Sequence, residues 1–109
     1  MALALALLAA ACAAPGSSLR PGTGGGETTF RVHGPADEVW LVGSMTGWRP
    51  VPLARDGDQW VLRLPLEPGR YEYRLEVREH GVTRVEWLPG AERADDGFGG
   101  ENGILRVER

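Results

Sequence analysis

The stretch Arg70-Tyr-Glu-Tyr-Arg-Leu-Glu-Val-Arg78 decides the fold that the sequence predicts. Its apolar side chains occupy every second position, at Tyr71, Tyr73, Leu75 and Val77, and charged side chains occupy all the others. A period of two is typical of an antiparallel strand that buries one face and exposes the other to water. The stretch therefore predicts a half-buried strand over residues 70–78.

Strand patterns also occur on both sides of this stretch, and turn residues such as Asp56-Gly57-Asp58 and Pro68-Gly69 separate them. No segment shows a sustained helical face. Short strands spaced by about ten residues predict an all-β fold, a single immunoglobulin-like β-sandwich. Residues 88–103 are rich in Gly, Asp and Glu and are predicted to form a long connection over one edge or face. The other strand candidates are residues 28–33, 38–42, 59–64, 82–87 and 104–108.

The N-terminus resembles a bacterial lipoprotein signal. Residues 2–14 are Ala and Leu with one cysteine, Cys12, whereas a helix needs roughly 20 apolar residues to span a bilayer. Small residues precede Cys12, and a polar, flexible stretch follows it. We expect a signal peptide over residues 1–12, lipidation of Cys12, and a periplasmic or cell-surface lipoprotein anchored to a membrane. A plain secretory signal cut near Ala14 and an apolar N-terminal helix are the alternatives.

The rest of the chain is expected to comprise a flexible linker over residues 13–27 and one small domain over residues 28–109. A single cysteine forms no intramolecular disulfide, so the domain depends on its apolar core, at the low end of self-sufficient size. The net charge is −3, and the 12 basic residues, all arginine, are interleaved with 15 acids. Without a basic stripe, nucleic acid is excluded as an expected partner.

The four tryptophans are predicted to have different roles. Trp60 alternates with apolar residues along its strand and is expected in the core. Trp40 belongs to a strand that is apolar on both faces and is also expected in the core. Trp48 follows this strand in a turn of small and polar residues, which favours ligand contact. Trp87 ends a strand, where it could cap the core or stand at a rim.

A resemblance to a known family is carried by five segments in matching order and spacing, residues 38–48, 52–53, 60, 66–74 and 98–107. Together they resemble the glycogen-recognition domain of AMP-activated protein kinase β subunits. These domains are family 48 carbohydrate-binding modules, related to the early-set domains of isoamylases and branching enzymes. The resemblance covers about residues 28–109 and implies an early-set sandwich that binds α-1,4-linked glucans on one face.

The resemblance also implies roles for individual residues. Trp48 matches the first stacking tryptophan, and Arg74 matches a lysine that hydrogen-bonds sugar hydroxyls. Phe98 matches an apolar residue that the glucan wraps around, and Asn102 matches an asparagine that hydrogen-bonds a glucose. Gly100 stands where the family has a threonine, so that side-chain contact is absent.

The second stacking position is ambiguous. A longer hairpin over residues 78–87 replaces the family's short turn, and either Val85 or Trp87 could align with the second tryptophan. If Val85 takes this place, half of the aromatic platform is missing.

The residues alone point the same way. A pyranose ring has an apolar face and a rim of hydroxyls, so it suits a flat aromatic such as Trp48 beside polar groups such as Arg74 and Asn102. The alternative for Arg74 is a solvated charge between two glutamates of its strand. The alternative for Asn102 is a turn residue that satisfies loop backbone.

Catalysis has little support in the sequence. Glycoside hydrolysis needs two carboxylates flanking a cleft, whereas Asp95 and Asp96 are adjacent in a Gly-rich loop. His33 and His80 lack metal-ligand spacing. We therefore expect no enzymatic activity, no cofactor and no metal.

Three functions remain open. The first is an exported module that binds glycogen-like or starch-like glucan, tethered to a membrane through lipidated Cys12. The second is an early-set sandwich that serves protein interaction without sugar binding. The third is a regulatory fragment whose enzyme is a neighbouring protein. The first is favoured over the second if Trp87 lies beside Trp48 on the face that holds Arg74.

Overall fold

A computed structural model describes residues 26–108. The predicted signal peptide over residues 1–12, the lipidation of Cys12 and nearly all of the predicted linker over residues 13–27 lie outside the described residues. Between residues 26 and 108, no helix has the length and apolar character needed to cross a bilayer.

The chain folds into two antiparallel sheets, so the predicted all-β sandwich is confirmed. One sheet has three strands in the order β1-β5-β4, and the other has six, in the order β3-β2-β6-β9-β8, with β7 also paired to β6. A 3₁₀ turn over Ser44–Thr46 follows β2. The strands are β1 (Gly26–His33), β2 (Glu38–Gly43), β3 (Val51–Pro52), β4 (Ala54–Asp56), β5 (Gln59–Leu66), β6 (Gly69–Glu79), β7 (Val82–Glu86), β8 (Glu92–Asp95) and β9 (Glu101–Val107).

All six predicted strands are present, but residues 88–103 are not one long connection. They contain β8 and the start of β9. The prediction was wrong because β8 is a short edge strand with polar and charged residues on both faces, so it shows no apolar alternation. Its pairing with β9, from Glu92↔Ile104 to Asp95↔Glu101, depends on main-chain hydrogen bonds.

The core lies between the two sheets, and its packing explains the alternation in β6. Tyr73, Leu75 and Val77 point inward and are each about 1% exposed. The ring of Tyr73 packs edge-on against Phe30 of β1, with 6.3 Å between centroids. Trp60 is buried at 9% exposure, as predicted.

Trp40 does not lie in the core, contrary to the prediction. Its neighbours Val39 and Leu41 point inward and are almost fully buried, so Trp40 points to the opposite side of the sheet, where it is half-buried. The guanidinium of Arg78 lies over its ring, 5.6 Å from the centroid. We call this side of the six-stranded sheet, turned away from the other sheet, the outer face.

The connection between the two sheets is fixed at the start of β6. The hydroxyl of Tyr71 donates a 2.6 Å hydrogen bond to the carbonyl oxygen of Glu67, four residues earlier. A tyrosine that bonds back to the chain just before its strand is the tyrosine corner of immunoglobulin-type sandwiches.

Candidate functional site

Strand register brings Arg74 and Asn102 together on the outer face. The last pair between β6 and β9 is Tyr73↔Gly103, so the next residues outward are Arg74 and Asn102. Arg74 also lies opposite Val42 of β2. A guanidinium and an amide therefore occupy neighbouring positions in the middle of the sheet.

Both side chains are held by carboxylates of β6. Arg74 Nε donates to Glu76 Oε2 at 2.9 Å, and Asn102 Nδ2 donates to Glu72 Oε1 at 3.2 Å. Asn102 lies within β9 and is 7% exposed, so its amide is held in the sheet and is not that of a turn residue that bonds loop backbone. The sequence singled out Arg74 and Asn102, but it did not identify Glu72 as the residue that positions Asn102.

The turn after β2 is tied to β6. The Gly43 N–H donates to Thr46 Oγ1 at 3.1 Å, and the Thr46 hydroxyl donates to the Gly43 carbonyl at 3.0 Å. Ser44 Oγ accepts the Glu72 N–H at 3.1 Å. A Cβ at Gly43 would lie 2.5 Å from the Glu72 carbonyl oxygen, so glycine permits this close approach. The turn is thereby fixed beside the strand that carries Arg74.

Trp48, at the end of this turn, has an unusual backbone conformation. Its φ is 62°, in the left-handed region, and its N–H donates to the Gly43 carbonyl at 2.9 Å. Its side chain is 46% exposed. A bulky residue in this conformation carries roughly 1–2 kcal/mol of strain. Strain of this kind is concentrated at functional sites, which agrees with the prediction of ligand contact at Trp48.

Phe98 stands at the tip of the β8–β9 hairpin and is 93% exposed. Asp96 Oδ1 accepts the backbone N–H groups of Phe98 at 2.7 Å and of Gly100 at 3.0 Å. These bonds, with a smaller contribution from the positive charge of Arg74, lower the pKa of Asp96. The hairpin tip is thus fixed by the carboxylate of Asp96.

The position where the resembled family has a threonine also lies in this loop. A Cβ on Gly100 would be 2.8 Å from Asp96 Oδ2. The absent side chain therefore makes room for the carboxylate that holds the loop.

Trp87 does not join this group. It follows the end of β7, and its ring packs toward the core over Gly103. The contact is so close that a Cβ added at Gly103 would lie 2.8 Å from Trp87 Cδ1. The guanidinium of Arg93 lies 4.3 Å from the centre of its ring. The next residue, Leu88, donates its N–H to the buried hydroxyl of Tyr73 at 3.0 Å, and burial raises the pKa of Tyr73.

Val85 lies on the outer face. It pairs with Glu76 of β6, which in turn pairs with Trp40 of β2, so the three form one row across the sheet. Its side chain is 44% exposed. Of the two candidates, Val85 is therefore the one exposed on the face that holds Arg74, whereas Trp87 packs against the core.

Between residues 26 and 108, no group of three or more His, Cys, Asp or Glu is arranged to hold a metal ion.

Known proteins share sequence similarity with this chain at a low level. No protein-family profile matches it. It is 29% identical over 84 residues to the 5'-AMP-activated protein kinase subunit beta-1 of Sus scrofa, which covers 75% of this chain and 64% of that protein. It is 38% identical over 50 residues to the subunits of the same name from Homo sapiens and Rattus norvegicus, covering 46% of this chain and 18% of each. The chain thus spans less than two thirds of the length of these relatives, and its similarity to them is a weak homology to 5'-AMP-activated protein kinase beta-1 subunits.

Proposed function

We propose that the outer face binds an α-1,4-linked glucan without transforming it. The observation that supports this most strongly is the adjacency of Arg74 and Asn102 on the outer face, beside the turn that carries exposed Trp48. The weak homology to kinase beta-1 subunits and the resemblance to glycogen-recognition domains agree with this proposal.

Each residue has a physical role in the proposed complex. Trp48 stacks on the apolar face of a glucose ring, and a contact of this kind contributes about 0.5–1.5 kcal/mol beyond area burial. Arg74 and Asn102 donate hydrogen bonds to the hydroxyls of the sugar ring, and Phe98 packs against the glucan at the point where the glucan leaves the sheet. So few contacts give weak binding, which a polymer with many equivalent sites strengthens.

The carboxylates of the hairpin are poorly suited to hydrolysis. The N–H of Gly97 donates to Asp95 Oδ1 at 2.6 Å, and Asp96 holds two further backbone N–H groups. A general acid needs a raised pKa, whereas the pKa of Asp96 is lowered. We therefore propose a binding module and not an enzyme.

The proposal includes export and a lipid anchor at Cys12, which rest on the sequence pattern of residues 1–12. They are tested by expressing the chain in a bacterium and measuring the mass of the mature N-terminus. A diacylglyceryl mass that disappears in Cys12→Ala supports the anchor, and an unmodified cysteine contradicts it.

The glucan proposal is tested by retention of the full chain, solubilised in mild detergent, on insoluble starch and glycogen, with cellulose as the control polymer. Trp48→Ala is compared with Val82→Ala, since Val82 is 67% exposed on the β6–β7 hairpin and on the opposite side of the sheet from Arg74. We expect the α-glucans to retain the wild type and Val82→Ala but not Trp48→Ala.

A protein-interaction module is the second candidate. It is favoured by the position of Trp87, which packs against the core and leaves Val85 as the exposed side chain of the hairpin on the outer face. Absence of retention on every polysaccharide would support this candidate over glucan binding.

A further inference from the structure

The outer edge of β1 is the longest strand edge without a partner strand between residues 26 and 108. β1 has eight residues and pairs only with β5, from Gly26↔Leu66 to His33↔Gln59. The strands at the other edges, β3, β4, β7 and β8, have two, three, five and four residues. β1 contains no proline, so its outer edge is available to another strand.

The exposed face of β1 carries two charges without ion-pair partners among the described residues. Glu27 and Arg31 belong to none of the ion pairs there, whereas Arg70, Arg74 and Arg78 of β6 each pair with a glutamate. Four residues along a strand separate Glu27 from Arg31 by roughly 13 Å, so they do not pair with each other. Both charges remain available to a partner that approaches the edge.

We propose that a second copy of this chain pairs with this edge, β1 against β1, antiparallel, with the two-fold axis at Thr29. In this register Glu27 of each copy faces Arg31 of the other, and the two Thr29 side chains face each other. Opposite charges and threonine pairs directly across two strands stabilise a sheet. The edge is therefore complementary to itself.

The register is specific. A shift by two residues separates Glu27 from Arg31 in both halves of the dimer, and a shift by one residue places the exposed face of one strand beside the buried face of the other. Only the register centred on Thr29 forms both ion pairs.

The cleft beside β1 fits the same register. It has a volume of about 140 Å³ and lies between residues 31–33 of β1 and residues 86–89. The second copy would place Gly26 opposite Val32, next to the cleft. A residue without a side chain lets another backbone approach closely, so a glycine suits this position beside Leu88 and Pro89.

The dimer joins the two three-stranded sheets into one six-stranded sheet. The outer faces that carry Arg74 belong to the other sheet, so they stay free. The inference does not depend on glucan binding, although a dimer with two such faces would bind a polymer more tightly than a monomer. The interface consists of one pair of strands, so we expect weak, concentration-dependent association.

Disulfide cross-linking tests the register. In the full chain in mild detergent, with Cys12→Ser as background, Thr29→Cys is compared with His33→Cys, which lies on the same face but whose opposite position falls beyond Gly26. Opposite residues of an antiparallel pair lie within disulfide range, so we expect mild oxidation to link Thr29→Cys into a covalent dimer and leave His33→Cys unlinked. Equal linking of the two variants, as non-specific association would produce, overturns the proposal, and so does linking of neither.

Charge exchange provides a second readout. Glu27→Arg and Arg31→Glu each place like charges opposite each other twice, so we expect either change to raise the dimer dissociation constant about tenfold in sedimentation. The double variant restores both pairs and should recover wild-type association. If the dimer dissociation constants of the single variants equal that of the wild type, the proposal is overturned. Starch retention, measured on the same samples, reports on the glucan face separately: dimers that fail to bind starch would contradict the proposed function and leave this one supported.

Discussion

Trp48 combines an exposed aromatic ring with a backbone conformation that glycine adopts most easily. Two consecutive residues have positive φ values, 67° at Gly47 and 62° at Trp48. The ring is held there because the Trp48 N–H bonds to Gly43 and the turn is anchored to β6 through Ser44. The hydrogen bonds of the turn after β2 thus hold an aromatic residue in a backbone conformation that glycine adopts most easily.

This interpretation predicts that Trp48→Gly and Trp48→Ala differ in stability and agree in binding. Both remove the ring, so both should lose starch retention. Alanine keeps the strained left-handed conformation and glycine relieves it, so Trp48→Gly should be more stable than Trp48→Ala by about 1 kcal/mol. Urea unfolding of the two variants measures the difference.

Gly34 serves as the control for this pair. Its φ is 114°, and a Cβ added there would have no atom within 4 Å. Gly34→Ala should be destabilising through backbone strain alone and should leave starch retention unchanged. Equal stability of Trp48→Gly and Trp48→Ala would contradict the strain at Trp48.

Asp96 predicts a pH dependence of the hairpin tip. Its pKa in the folded chain lies below the ordinary aspartate value, because its carboxylate accepts the N–H groups of Phe98 and Gly100. The stabilisation from these bonds is therefore fully present above the ordinary aspartate pKa and is lost as the pH falls through the lowered pKa. We expect the amide resonances of Phe98 and Gly100 to shift together in this acid range, as measured by NMR.

The variant Asp96→Asn retains an oxygen acceptor but has no carboxyl group to titrate. The resonances of Phe98 and Gly100 should then lose their common acid transition. A common transition that persists in Asp96→Asn, or one that lies above the ordinary aspartate pKa, would contradict this role of Asp96.

At the scale of elements, the β6–β7 hairpin determines how much aromatic surface the outer face presents. Val85 pairs with Glu76 and points to the outer face, whereas Val82 pairs with Glu79 and points to the other side. Both valines are exposed. We predict that Val85→Trp adds a second stacking ring and strengthens starch binding about fivefold, since an aromatic contact contributes about 0.5–1.5 kcal/mol.

Val82→Trp is the matched control, because it adds the same ring to the same hairpin on the other side. Its starch affinity should equal that of the wild type in a depletion assay. An equal gain from both substitutions would indicate non-specific adsorption of exposed tryptophan and would contradict the outer face as the glucan site.

The elements also show which parts of the fold are encoded locally. β6 is predictable because one of its faces packs on Phe30 and the core while the other stays in water, which imposes the alternation. β8 is not predictable in this way, since its stability comes from main-chain pairing with β9 and from ion pairs such as Arg106 to Glu92. Main-chain pairing leaves no pattern in the side chains.

The candidate site was predictable residue by residue only in part. Arg74 and Asn102 were singled out through the resemblance, but their adjacency depends on the register between β6 and β9. The sequence left Trp87 either capping the core or at a rim, because it follows the end of β7, where strand alternation no longer determines its direction. Its ring turns inward over Gly103, a glycine within a strand, which is a signal of close packing.

In the molecule as a whole, Trp87 and Trp48 lie in different environments, one against the core and one outside it. Trp87 closes the core beside Tyr73 and is covered by Arg93 on its ring face. Trp48 stands outside the core in a turn after β2. Stability and glucan binding should therefore be separable by substituting one tryptophan or the other.

We predict that Trp87→Ala lowers the free energy of unfolding by about 3 kcal/mol, because it leaves a cavity over Gly103, and that starch retention persists at temperatures where the variant is folded. Trp48→Ala should lower the stability by only about 1 kcal/mol and abolish retention. Chemical unfolding and starch depletion on the same samples measure both quantities. If Trp87→Ala lost binding while folded, the sugar-contact surface would extend to the Gly103 side of the sheet, and the separation between the outer face and the core cap would be wrong.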